Sequence, residues 1–141
     1  MAKIASLPPL AARIAVGIVF MVSGWGKLHD LGSVVDFFRQ LGIPAPELQA
    51  PFVATVELVG GALVLVGFGA RLASVFLMAT MAVAIATAIW PDTKGVVDLL
   101  GRVEVLYLVL FGWIAVAGPG AISVEALLAR RSLTPAPAAV G

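Results

Sequence analysis

The sequence predicts an all-α fold, a transmembrane up-down four-helix bundle with short interfacial helices. Two observations carry the prediction. Leu72 to Trp90, LASVFLMATMAVAIATAIW, runs 19 residues without a charge, nearly the length an α-helix needs to cross a ~30 Å hydrocarbon layer. Three more apolar stretches of similar length share a chain of 141 residues. Composition agrees: 61% of residues are hydrophobic and 12% charged, and mean hydropathy is +1.09. Soluble domains carry about 25% charged residues, and a soluble chain this short could not hide so much apolar surface.

The first apolar segment covers about 10–28. Pro8 and Pro9 suit a helix start, where a missing N–H donor costs little. The segment ends in SGWGKL without a small-x-small cleavage pattern, so it reads as an uncleaved membrane helix rather than a signal peptide. LGSVVDFFRQLG follows, and about 31–41 is too short to span. Its Val34, Val35, Phe37, Phe38 and Leu41 share one side at helical spacing. Such a helix lies either in the membrane interface or over the bundle as a packed loop helix; both need the same apolar face.

The second span is expected at about 51–68, with Gly67 and Gly69 forming a tight turn. The third covers about 70–90 and stops at Pro91. The fourth covers about 101–117 and ends at Gly118–Pro119–Gly120. A C-terminal amphipathic helix is expected at about 121–131, closing a membrane domain over 1–131. The remaining 132–141, with two prolines and no apolar face, reads as a disordered tail.

Short linkers force antiparallel neighbours. Small residues recur at packing intervals: Gly17 with Gly24, Thr80 with Ala84 and Ala88, Ala82 with Ala86. Each row permits close helix approach. Four spans place both termini on one side, together with Lys3, Arg13, Arg71, Arg130 and Arg131. The other side holds Lys27, Arg39, Lys94 and Arg102, so positive residues favour cytoplasmic termini. Trp25 and Trp90 then lie near the outer interface.

Several chemistries are excluded. Net charge is only +1 and no broad basic patch exists, so nucleic acid is not a partner. The chain has no cysteine, which removes disulfides, thiol relays, iron–sulfur ligation and thiolate metal sites. His29 is the single histidine, so one subunit cannot supply a bis-histidine haem or a histidine-rich metal site. No metal site is expected and no catalytic residue is assigned.

Charge at membrane depth is costly unless paired or hydrated, and often marks a site. In the expected topology Lys27 ends the first span, Glu57 lies near the outer start of the second, and Arg102 and Glu104 begin the fourth. With His29 they form a candidate polar cluster, and Lys27, Glu57, Arg102 and Glu104 are the candidate cofactor-binding residues. Two carboxylates facing two cations could hold a polar headgroup or relay a proton. The same residues also suit an ion-pair network that pins helix ends. Lys27 and Glu57 are expected within salt-bridge reach, with Glu104 nearby. Arg13 and Arg71 read as anchors snorkelling to lipid headgroups, or as an anionic-lipid site.

The stretches RIAVGIVFMVSGWGKL (13–28), LGIPAP (41–46), ELVGGALVLVGFGAR (57–71) and GPGAISVE (118–125) resemble, in this order and spacing, the DoxX-like family of small bacterial membrane proteins. The similarity covers nearly the whole chain. Lys27, Glu57 and Arg71 match the family pattern, whereas Glu125 stands where the family carries aspartate. The resemblance implies a four-helix protein of the bacterial cytoplasmic (inner) membrane. It further implies an accessory subunit of a redox system, some relatives being subunits of a thiosulfate:quinone oxidoreductase, with quinone as cofactor and a redox protein as partner. Without cysteine, electrons would travel on a quinone, another cofactor or a partner. The alternatives are a lipid or small-solute binding or transport module and an assembly scaffold for another membrane protein. Membrane lipids are partners in every case, and alanine-rich faces suggest a homodimer.

Overall fold

The computed structural model describes residues 5–132, and these are all-α. Helix α1, Leu7–His29, carries its prolines in the first turn. Asp30 ends it and starts the next helix: its carboxylate accepts the Ser33 N–H at 3.3 Å, capping α2, Leu31–Gln40. Helix α3 is Pro46–Val66. It begins five residues earlier than the sequence suggested, because Pro51 sits inside the helix rather than opening it. The ring removes one ladder donor, and the preceding turn forms without it.

The α3 end is a Schellman turn. The Phe68 N–H reaches the Leu63 carbonyl at 3.1 Å and the Gly67 N–H that of Val64 at 3.2 Å. Gly67 takes φ +72°, which glycine adopts without a Cβ penalty. Helix α4 is Ala70–Ala84 and continues through a π-helical turn, Ile85–Ile89, and a 3-10 turn, Trp90–Asp92. A short helix the sequence did not suggest, α5, Val96–Leu100, fills the linker. Helix α6 is Val103–Ala117. Ser123 caps α7, Val124–Ser132, by accepting the Ala126 N–H at 3.2 Å. The tail assigned to 132–141 lies, beyond Ser132, outside the described residues.

Among the described residues, three helical stretches are long and apolar enough to cross a membrane: Leu7–His29 (23 residues), Pro46–Val66 (21 residues) and Ala70–Asp92 (23 residues). Helix α6 is apolar but has only 15 residues, roughly 22 Å of rise. The architecture is an all-α transmembrane bundle with three long spans and one shorter apolar helix.

The bundle is built as two helix pairs. Helix α1 packs chiefly on α3, and α4 on α6; the α3–α4 hairpin joins the pairs. Glycines let α1 and α3 touch backbone to backbone: a Cβ on Gly24 would stand 2.4 Å from the Leu58 nitrogen, and one on Gly17 2.9 Å from the Gly61 carbonyl. The pairs also meet through Phe20, edge-on to Phe111 at 4.9 Å and to Tyr107 at 5.2 Å between ring centroids. Val16, Val64, Leu77 and Ile114 complete this core. A second apolar cluster, Phe38, Ile43 and Ala50, seats α2 on the start of α3.

The two small-residue rows of the third span behave differently from the packing role expected of them. Ala82 and Ala86 are exposed. Thr80, Ala84 and Ala88 line a cavity rather than a tight helix contact.

Candidate functional site

Away from the α3–α4 turn, the two helix pairs enclose a cavity of about 390 Å³. Phe20 of α1, Val53 and Val56 of α3, Ala84 of α4 and Tyr107 of α6 supply walls, and Phe37 and Phe38 of α2 border it at one end. Small side chains on α4 leave the space. The π-helical turn contributes Thr87 and Ala88 to it; such turns recur at functional sites.

Polar groups enter this apolar chamber at a few points. Glu57 is only 3% exposed, yet its carboxylate is held by two donors. The Lys27 ammonium forms an ion pair with Oε2, and the Ser23 hydroxyl donates to the same oxygen at 2.8 Å. Lys27 also donates to the Ser23 hydroxyl at 3.0 Å. Ser23 and Lys27 stand four apart on α1 and therefore share a face. The ammonium keeps 28% exposure, so the pair joins a buried anion to a partly hydrated cation. Removing either partner would leave the other without its counter-charge, at the greater cost for the buried Glu57.

Of the candidate residues, the structure brings Lys27 and Glu57 together and places Glu104 on the wall of the same cavity. Arg102 and His29 are turned elsewhere. Arg102 pairs with Asp98 one turn back at 3.4 Å and does not line the cavity. His29 is exposed, its Nδ1 lying 2.9 Å from the Trp25 carbonyl. In both cases a local acceptor four residues away outcompetes the distant cluster. Asp98 also accepts the Lys94 N–H at 3.1 Å, which holds its carboxyl below the ordinary aspartate range, with Arg102 acting in the same direction. Ser23 and Tyr107 were missed from the sequence. The signal for each was spacing: Ser23 is four residues before Lys27 and Tyr107 three after Glu104, one helical turn in both cases.

The arginine expected to snorkel from α1 does the reverse. Arg13 is 2% exposed. Its Nε donates to the Val64 carbonyl at 3.0 Å and Nη2 to that of Leu65 at 3.0 Å. Nη1 serves the carbonyls of Pro119 and Ile122, the latter at 2.7 Å. The guanidinium thus caps the last turn of α3 and ties down the loop before α7. Arg71 stays exposed, its guanidinium packed where a Cβ on Gly118 would fall, 2.9 Å away.

The DoxX family model matches residues 9–90. That stretch holds Ser23, Lys27, Glu57 and the α1 to α4 walls of the cavity. The chain belongs to the DoxX family. Relatives agree with this membership along the chain's length. A Bacillus subtilis (strain 168) protein named "Putative oxidoreductase CatD" is 32% identical over 111 residues, 79% of this chain and 78% of its own. The Escherichia coli (strain K12) inner membrane protein YqjF is 29% identical over 134 residues, covering 93% of this chain and 99% of its own. Inner membrane protein YphA of the same strain is 30% identical over 123 residues, covering 82% and 86%. No solved structure matches the chain. With its long apolar helices, this DoxX-family chain is a multi-pass inner-membrane protein.

Proposed function

We propose that this DoxX-family protein is an integral-membrane accessory subunit of a redox system, and that the cavity between its helix pairs holds a quinone or a lipid. The observation that carries the reading is an ion pair, Lys27–Glu57, set into the wall of an otherwise apolar chamber. Ligand pockets commonly have this make-up, hydrophobic walls with a few convergent polar groups and a volume of roughly 300–1,000 Å³. The oxidoreductase name of the Bacillus relative supports the redox half of the reading.

The residues suit a quinone. A quinone ring presents two carbonyl acceptors on a flat apolar body and, when bound, supplies two-electron, two-proton chemistry. The Lys27 ammonium and Ser23 hydroxyl would donate to one carbonyl, and Tyr107 lies on the opposite helix pair. Glu57 would hold or release a proton at its carboxylate, with Lys27 compensating its charge. Glu104 offers a second carboxylate for a proton entering from the loop side.

The same reading makes α6 a fourth crossing, completing an up-down four-helix domain over 1–131 with both termini cytoplasmic. A redox protein and a second copy of the chain are its protein partners, and a mass measurement in mild detergent counts the copies. The deciding experiment is extraction with native lipids, followed by native mass spectrometry and quinone titration. A retained or titratable quinone or lipid is expected. Glu57→Gln keeps most of the fold and lowers quinone-dependent activity with the partner by about a hundredfold or more, the usual share of a positioned acid–base group. Glu57→Leu leaves Lys27 uncompensated and destabilises the bundle by about 3 kcal/mol, as for a broken buried pair. A preparation with no bound quinone or lipid, and no redox protein on crosslinking, rejects the reading.

A further inference from the structure

The cavity does not end at the bundle surface. A second hollow of about 340 Å³ runs between α3 and α4 on the outside of the hairpin. Phe52, Val56 and Phe76 border both spaces. From Phe52 to Leu63 the groove follows ~16 Å of helix rise. Its sides are Val59, Leu63 and Leu72, and Gly60 keeps its floor low, since a Cβ there would press on Leu77 at 3.1–3.3 Å. The groove's one side-chain hydroxyl, Thr55, is already spent on the Pro51 carbonyl at 2.8 Å. The groove therefore offers hydrocarbon alone, while the cavity beside it offers an ion pair.

We propose that cavity and groove form one site for a single-chain amphiphile with an uncharged polar head. The head sits at Lys27, Ser23 and Glu57, and the chain leaves sideways past Phe52 and Phe76 to lie between α3 and α4. This inference rests on reading the cavity as a binding site and adds the class of its occupant. Charge selects the head: two carboxylates, Glu57 and Glu104, share the cavity with one ammonium, so an anionic head meets net repulsion. Continuity selects the chain, because an amphiphile held at the ion pair has an apolar way out through the wall that faces lipid. Lipid tails are as apolar as the groove, so the chain gains little transfer energy by entering it. The head must hold the chain there, and that dependence is what the experiment reads.

The full-length protein in phosphatidylcholine nanodiscs is photolabelled with a monoacylglycerol carrying a diazirine at mid-chain, and the labelled residues are mapped by mass spectrometry. Label should concentrate on Val59, Leu63 and Leu72 about tenfold over the exposed α6 residues Val109 and Val116, the ratio for a site preference of 1.4 kcal/mol. Excess monoolein should reduce it to that background and excess oleate should not. The double variant Lys27→Met/Glu57→Gln removes both charges together, which spares the bundle an orphaned ion. It should keep its thermal transition and lose the groove label. Val59→Trp should block the groove, whereas Val109→Trp should leave the labelling unchanged. Equal label on α6 and groove means annular lipid and overturns the proposal. Groove label that survives in the double variant means a lipid seat independent of the cavity. That result overturns the single-site proposal and leaves the cavity reading standing. A failed quinone titration of the unlabelled protein, with no redox protein on crosslinking, rejects the redox role and does not touch the labelling pattern.

Discussion

A guanidinium has five N–H donors in a rigid fork, and burying it is tolerable only where acceptors already converge. Arg13 meets that condition because α3 ends beside it with carbonyls that can still accept, which a helix C-terminus leaves. Its partners Val64, Leu65, Pro119 and Ile122 come from two separate segments. Lysine keeps the charge but has three donors on a flexible stem and cannot span that set. Arg13→Lys should therefore lower thermal stability in detergent nearly as much as Arg13→Ala, on the order of 3 kcal/mol; near-complete rescue by lysine would show that charge alone matters. The sequence concealed this role. An arginine early in an apolar segment looks identical whether it snorkels or folds inward, and its acceptors lie 51 to 109 residues away. Lys27–Glu57 was legible for the opposite reason. One residue lies in the last turn of α1, the other half-way along the α3 that packs against it, and the cost of unpaired charge near hydrocarbon leaves them little choice but each other. Arg102 and His29 were misjudged because the cluster argument ignored acceptors one turn away.

Helices α1 and α3 show how small residues set element packing. Gly24 lies against Leu58 and Ala54 so closely that a Cβ would meet backbone at 2.4–2.9 Å, whereas Gly26 has nothing within 4 Å. Gly24→Ala should push the helices apart and cost about 1–3 kcal/mol as an overpacking change. Gly26→Ala should be neutral or stabilising by about 0.5–1 kcal/mol through helix propensity. Thermal unfolding of the two variants side by side checks the pair, and equal effects would contradict the backbone contact. The three long spans were readable from apolar length and from Gly67 and Pro91 as breakers, and Gly118 marked the end of the shorter α6. The start of α3 was not, because Pro51 looks like a helix opener and is an interior residue. The π-helical turn at Ile85–Ile89 left no mark either, since its apolar sequence suits an α-helix equally well. The Thr80, Ala84 and Ala88 row shows the remaining ambiguity: small side chains invite either a close neighbour or an empty space, and only the arrangement of the other helices decides.

At the scale of the whole molecule, two helix pairs joined by one tight turn make a frame with a gap in it. The pairs touch through Phe20 and its aromatic partners and through the packing beside the α3–α4 turn. The cavity occupies what that contact leaves open. Arg13 gives this frame an order in time. It emerges with the first helix, finds its α3 acceptors only when residues 64 and 65 are made, and completes its set when Pro119 and Ile122 leave the ribosome. Until then a membrane-embedded cation is short of partners, which is costly and lowers the stability on which a protein's abundance depends. A chain ending after Ala117 keeps every long helix and loses that closing contact. Its half-life in a pulse-chase experiment should fall several-fold, and Arg13→Leu, which removes the unsatisfied ion, should restore much of it. A truncated chain as long-lived as the full one would show that the contact closes nothing. The guanidinium thus ties the first long helix to a loop made more than a hundred residues later.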